Sequence, residues 1–111
     1  MIRPLAIAAL SLTGALTYLA QADDVPAFEI VIKDHKFQPA TLEVPANKKV
    51  KLIVKNQDLT PEEFESYELN REKVIVGNSQ AIIFIGPLEP GTYPYFGEFN
   101  MATAQGKIVA K

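Results

Sequence analysis

The chain has 111 residues, a formal net charge of −2 and no cysteine. This length allows one domain, and the slight acidity argues weakly against nucleic acid or anionic lipid as a partner. The absence of cysteine excludes disulfides, catalytic thiolates, zinc–thiolate sites and blue-copper sites of the usual kind.

The amino-terminal residues have the pattern of a secretory signal peptide. Arg3 supplies a positive start, residues 5–19 form an almost uncharged apolar run, and residues 20–22 (Ala-Gln-Ala) fit the small-x-small cleavage rule. The alternative is a membrane anchor, but the run is shorter than the roughly 20 residues that a span needs. We therefore expect a signal peptide over residues 1–22, a mature domain over residues 23–111, and export to the periplasm.

Short β-type segments separated by turn residues follow along the mature chain, the pattern of a sandwich or barrel. In residues 28–33 and 50–55 apolar side chains alternate with mainly polar ones, as in strands with one buried face. Residues 80–86 are apolar on both faces, which indicates a central strand. Together these segments predict an all-β Greek-key sandwich of about seven to eight strands. The expected strands are residues 28–33, 41–44, 50–55, 74–76, 80–86, 93–96 and 107–110.

The acidic segment near residues 60–72 carries a helix signal. Thr60 fits an N-cap, Pro61 the first helical position, and Glu63 the position three residues after the cap. One or two helical turns and an extended segment are equally compatible with a connection between strands. We expect a short helical or irregular segment here.

A series of short motifs, in order, resembles the cupredoxin family over nearly the whole mature chain. The framework motifs are Phe37-x-Pro39, Val44-Pro45-Ala46, Val50, Asn56, Gly91-Thr92-Tyr93 and Gly106-Lys107-Ile108-Val109. Further motifs resemble the periplasmic cupredoxins of bacterial iron uptake, such as the N-terminal domain of EfeO and the FtrB-like partners of ferrous-iron permeases. These motifs are residues 61–66, 71–74, 97–99 and 103–106. The resemblance implies metal handling, with a membrane iron permease or another periplasmic protein as partner.

The usual copper ligands of that family are missing. Blue-copper members bind the metal through two histidines, a cysteine and often a methionine. The resemblance places these positions at or beside Glu62, at Gly97, at Asn100 and near Ala104. None of these residues is the usual ligand, so a type 1 copper centre is excluded.

Other side chains suited to metal binding lie in three segments that such a sandwich is expected to bring together at one end. The candidate ligands are His35, Glu62, Glu63, Glu65, Glu98 and Met101. Carboxylates with one imidazole suit Fe(II), Fe(III) or Cu(II), whereas a thioether favours Cu(I). Most candidates have a structural alternative: a solvated loop for the histidine, a helix's acidic first turn for Glu62, Glu63 and Glu65, and packing for the methionine. Four further charged residues are interpreted as a salt-bridged surface: Glu68, Arg71, Glu72 and Lys73.

Two functions remain open at this point. The first is a metal-handling protein that binds iron or copper in support of high-affinity iron uptake, with Fe(II) oxidation or electron transfer as further options. The second is a metal-free interaction module or scaffold for a membrane permease. No catalytic triad, histidine-rich zinc motif or phosphate-binding glycine loop is present, so no enzymatic activity is expected beyond oxidation of a bound metal.

Overall fold

The computed structural model describes residues 24–111, and the predicted signal peptide lies outside this range. The described chain forms nine strands and one 3₁₀ turn, Glu98–Asn100. The strands are β1 (Ala27–Lys33), β2 (Lys36–Gln38), β3 (Thr41–Val44), β4 (Val50–Asn56), β5 (Glu62–Ser66), β6 (Arg71–Ile75), β7 (Ser79–Ile85), β8 (Gly91–Phe96) and β9 (Gln105–Ala110). Within this range, no helix has the length and apolar character needed to cross a membrane.

The strands form two sheets. The first sheet has the order β2-β1-β4-β7, and the second has the order β3-β9-β8-β5-β6. The pairs β1–β4 and β3–β9 are parallel, and the other strand pairs are antiparallel. This arrangement confirms the predicted all-β sandwich, with β2 and β5 as strands beyond those expected from the sequence.

Alternate residues of each sheet build the core between the sheets. In β4, every second residue from Val50 to Asn56 is buried. An aromatic cluster joins the two sheets: the Tyr95 ring stacks on Phe64 with centroids 4.6 Å apart and meets the edge of Phe37 at 4.9 Å. Burial of these rings provides much of the hydrophobic stabilisation of so small a domain.

The acidic segment folds as the hairpin β5–β6 and not as a helix. Glu62 pairs with Ile75 at one end of the hairpin, and Ser66 pairs with Arg71 at the other. The helix signal at Thr60 and Pro61 is local and weak, whereas the extended form buries the Phe64 ring completely. Tertiary burial therefore outweighs local capping preference.

Candidate metal centre

Strand β5 places two consecutive glutamates on opposite faces of the second sheet, because side chains alternate along a strand. Glu62 points into the sandwich with Phe64, and Glu63 points outward with Glu65. Both members of the pair are inaccessible, with 1% of Glu62 and 4% of Glu63 exposed. Across the hairpin, Glu65 lies directly opposite Glu72 of β6.

Four carboxylates meet on this outer face. Glu63, Glu65 and Glu72 come from the hairpin, and Glu98 comes from the 3₁₀ turn after β8. One carboxylate oxygen from each residue lies within 4.8 Å of the others. We call these four residues the glutamate cluster. Its donors are all oxygens, which are the ligands that hard cations prefer.

Glu63 is the buried centre of the glutamate cluster, and its surroundings disfavour a free carboxylate. Its Oε1 atom is buried and has no hydrogen-bond partner. Burial raises the pKa of Glu63, and the carboxylates of Glu98, Glu65 and Glu72 raise it further, to about 8. No ion pair within residues 24–111 involves the cluster. A proton or a bound cation is therefore the group that can satisfy this oxygen.

Glu62 anchors the loop that carries Glu98. Its Oε1 accepts hydrogen bonds from the N–H groups of Glu63 at 2.9 Å and Phe99 at 3.0 Å. Its Oε2 accepts a hydrogen bond from Nδ2 of Asn100 at 2.6 Å. These contacts fix the 3₁₀ turn, and with it the backbone of Glu98, against β5.

The positions that the resemblance assigns to copper ligands pack directly against one another. A Cβ atom on Gly97 would lie 2.7 Å from Cδ of Glu62 and 2.8 Å from Cβ of Ala104. Asn100 is hydrogen-bonded to the same Glu62 carboxylate. The chain's own side chains therefore fill the space between these positions, which agrees with the absence of cysteine from the sequence.

His35 lies in the β1–β2 turn, where Asp34 and His35 have left-handed φ angles of 54° and 59°. Asp58 accepts hydrogen bonds from both backbone N–H groups, at 2.8 and 3.0 Å, and its Oδ2 is 3.6 Å from Nδ1 of His35. Although burial raises the pKa of Asp58, these hydrogen bonds and the charges of His35 and Lys33 lower it overall. The turn reaches the loop before β9, since the Thr103 hydroxyl donates to the His35 carbonyl at 2.6 Å.

The structure thus brings together three of the six predicted ligands, Glu63, Glu65 and Glu98, and adds Glu72. The imidazole of His35 faces Asp58 and is outside the glutamate cluster. Met101 follows the 3₁₀ turn, is 51% exposed, and accepts a hydrogen bond at its carbonyl from Gln105.

Glu72 is the cluster member that sequence reasoning missed. The sequence predicts it on a salt-bridged surface, but the hairpin register sets it opposite Glu65. The sequence carries one signal for it. Glu63 and Glu65 alternate along one strand face, and the turn residue Asn70, which adopts a left-handed φ of 54°, follows them. A chain that folds back at this turn sets Glu72 on the same face as Glu65.

Comparisons with known proteins agree with this fold. The uncharacterized protein RP394 of Rickettsia prowazekii (strain Madrid E) is 47% identical over 87 residues, which is 78% of this chain and 70% of that protein. Auracyanin A, a blue copper protein from Chloroflexus aurantiacus, has a TM-score of 0.68 at 16% identity, over 79% of this chain and all of that chain (100%).

A second solved structure is the metal-binding domain of the Cu(I)-exporting P-type ATPase CopA of Streptococcus pneumoniae D39, with Cu(I). Its TM-score is 0.64 at 14% identity, over 80% of this chain and 88% of that chain. Identities this low show a shared fold alone. The sequence model of the cupredoxin-like domain matches residues 6–110, nearly the whole chain. With the same two-sheet fold in the described strands, the chain belongs to the cupredoxin-like domain family.

Proposed function

We propose that this protein is a periplasmic cation-handling cupredoxin that binds its metal at the glutamate cluster and supports high-affinity iron uptake. The observation that carries the proposal is the buried Oε1 of Glu63, which has no donor and lies among three other carboxylates. Leaving such an oxygen unpaired costs stability, and a cation at this position removes the cost. The cluster is built from a hairpin and an anchored turn, so its ligands are held on rigid elements.

The donor set favours a hard metal. Four carboxylates suit Fe(II), Fe(III) or, among copper ions, Cu(II), whereas Cu(I) prefers sulfur ligands. Within the described chain, the cluster contains neither imidazole nor thioether. The donor set alone does not distinguish iron from other hard cations, so the resemblance to iron-uptake cupredoxins is what assigns iron to the site, with Cu(II) as the competitor.

Export and partnership rest on the sequence. The pattern of residues 1–22 supports export to the periplasm, and the resemblance to iron-uptake cupredoxins supports a membrane iron permease as the recipient of the metal. Carboxylate ligands are hard oxygen donors and suit Fe(III), so bound Fe(II) could be oxidised before transfer only if an external one-electron acceptor takes the electron.

Calorimetric titration with Fe(II) under anaerobic conditions, and separately with Cu(II), tests the proposal. Glu63→Gln and Glu72→Gln each keep side-chain size, and each should weaken binding at least about tenfold, or roughly 1.4 kcal/mol. Glu68→Gln removes an acid outside the cluster and should leave the affinity unchanged. His35→Ala should also have no effect if the cluster is the site, and a loss of binding would instead support the histidine as a ligand.

A second function, a metal-free interaction module, is supported by a different observation. Glu62, Gly97, Asn100 and Ala104 pack tightly where the resemblance places copper ligands. If the wild-type protein binds neither metal tighter than millimolar, this second function replaces the first.

A further inference from the structure

The outer face of the first sheet collects positive charge. Burial of alternate residues in β1, β2 and β4 turns a set of lysines outward, and Lys33 lies directly opposite Lys36. A further lysine, Lys49, sits over the Phe84 ring at 4.7 Å from its centroid. We define the lysine face by these lysines and the apolar residues between them. Its members are Lys33, Lys36, Lys49, Lys51, Lys55, Ile53, Ile82 and Phe84.

An apolar strip runs through the lysine face. Ile53 of β4 lies opposite Ile82 of β7, and Lys51 lies opposite Phe84. Ile82 and Phe84 are 48% and 43% exposed. Lysine stems pack along apolar surface and extend their ammonium groups beyond it, so the strip and its lysines form one amphipathic surface.

Negative charge is sparse on the strands of this face, although Asp58 lies near Lys33 in the adjoining loop. In the four strands of the first sheet, Glu29 is the single acidic residue, and it is paired with Lys55 at 2.8 Å. The glutamate cluster lies on the outer face of the other sheet. The small net charge of −2 is therefore the sum of a positively charged outer face on the first sheet and a negatively charged cluster on the second. A net charge of the whole chain therefore does not exclude anionic lipid as a partner of this one face.

We propose that the lysine face docks on an anionic phospholipid bilayer. Protein interfaces are depleted in lysine and enriched in arginine, tyrosine and tryptophan, whereas the four strands of the first sheet carry their positive charge on lysine alone. Arg71 of β6 lies at the border of the face, where its Nε donates a hydrogen bond to the Phe84 carbonyl at 2.8 Å. Lysine ammonium groups interact with lipid phosphates without requiring a fixed geometry, and the half-exposed Ile82 and Phe84 supply interfacial apolar area. Glu72 of the glutamate cluster lies at the border of this face, where it lines one surface groove with Ile82 and Phe84. The proposal stands whether or not that cluster binds metal.

The test is co-sedimentation of the exported protein with vesicles of two compositions at low salt. One contains equal parts of phosphatidylglycerol and phosphatidylcholine, and the other contains phosphatidylcholine alone. We expect at least about tenfold stronger binding to the anionic vesicles, and loss of the difference at high salt.

Matched lysine pairs locate the binding surface. Replacing Lys33 and Lys36 together by Gln should weaken binding to anionic vesicles about tenfold or more, because each lysine near an anionic surface contributes roughly fivefold. The control replaces Lys107 and Lys111, which belong to the second sheet and its carboxyl-terminal end, and should change binding by less than about twofold. Both pairs remove the same charge at exposed positions, so folding is preserved in each.

Three results would overturn the proposal. They are equal binding to both vesicles, an equal loss in the two lysine pairs, and no binding to either vesicle. If the protein binds neither vesicle, the partner of the lysine face would instead be an acidic protein surface.

Discussion

Glu62 and Glu63 are consecutive residues, have the same side chain and are both inaccessible, yet their surroundings are opposite. Three N–H groups donate hydrogen bonds to Glu62. The buried Oε1 of Glu63 receives none and faces three other carboxylates. The pKa of Glu63 is accordingly raised to about 8 by burial and by those carboxylates. The two-residue period of a strand is enough to separate a structural carboxylate from a candidate metal ligand.

The largest effect on stability is expected from removing Glu62, the glutamate whose carboxylate is fully hydrogen-bonded. Glu62→Ala deletes the acceptor for Phe99 and Asn100 and leaves a cavity, which should lower the free energy of unfolding by about 3–5 kcal/mol. Urea denaturation measures the change. Glu43→Ala is the control, because Glu43 is exposed and its ion pair with Lys111 should contribute less than about 1 kcal/mol. Equal losses in the two variants would contradict an anchoring role for Glu62.

Glu63, in contrast, should make the free energy of unfolding depend on pH. The pKa of Glu63 in the folded chain, about 8, lies above its ordinary value of 4.5, so the folded state binds the proton more tightly than the unfolded state does. The stability from this proton is complete below the unfolded value and is lost as the pH rises through the folded one. With a chelator present, unfolding free energy should fall by on the order of 3 kcal/mol between about pH 5 and about pH 9.

Glu63→Gln isolates that contribution. The amide cannot ionise, so the variant should lose most of the pH dependence and should be more stable than the metal-free wild type at high pH. Urea denaturation of both proteins across the pH range measures the difference. Parallel profiles for the two proteins would show that repulsion within the glutamate cluster does not affect stability.

The smallest effect tests whether charge, and not the lack of a partner, distinguishes Glu63. The Tyr95 hydroxyl is also buried without a partner, but burial raises its pKa and keeps it neutral. Tyr95→Phe should leave stability unchanged or raise it by up to about 1 kcal/mol, with no pH dependence. Thermal unfolding measures this, with Tyr93→Phe as control, since the Tyr93 hydroxyl donates to the Glu89 carbonyl. A large loss for Tyr95→Phe would contradict the comparison.

The alternation of apolar and polar residues within single strands makes much of the fold predictable from the sequence. Residues 28–33 and 50–55 show the pattern directly and form β1 and β4. The hairpin β5–β6 was not predicted, because the capping signal at Thr60 is local, whereas the burial of Phe64 depends on a distant sheet. Three members of the glutamate cluster, Glu63, Glu65 and Glu98, are among the ligands that the sequence predicts, and their role in metal binding stays a prediction.

Cross-strand register and turn conformation were not visible in the sequence. Glu72 joins the glutamate cluster only because the hairpin sets it opposite Glu65. His35 was grouped with the glutamates because its loop was expected at the same end of the sandwich. Its direction is set instead by the left-handed turn and by the hydrogen bonds of that turn to Asp58. Such features depend on three-dimensional neighbours that no linear motif specifies.

The packing around Gly97 also restricts the mutational routes open to this protein. A cysteine there would place its Cβ within 2.8 Å of Glu62 and Ala104, so the substitution alone strains the core. Replacing Glu62 first would release the loop that Phe99 and Asn100 hold in place. Each of these two first steps toward a cysteine–histidine copper site is therefore expected to be less stable than the starting protein. A cysteine at this position would therefore have to be accompanied by substitutions that make room for it at Glu62 or Ala104.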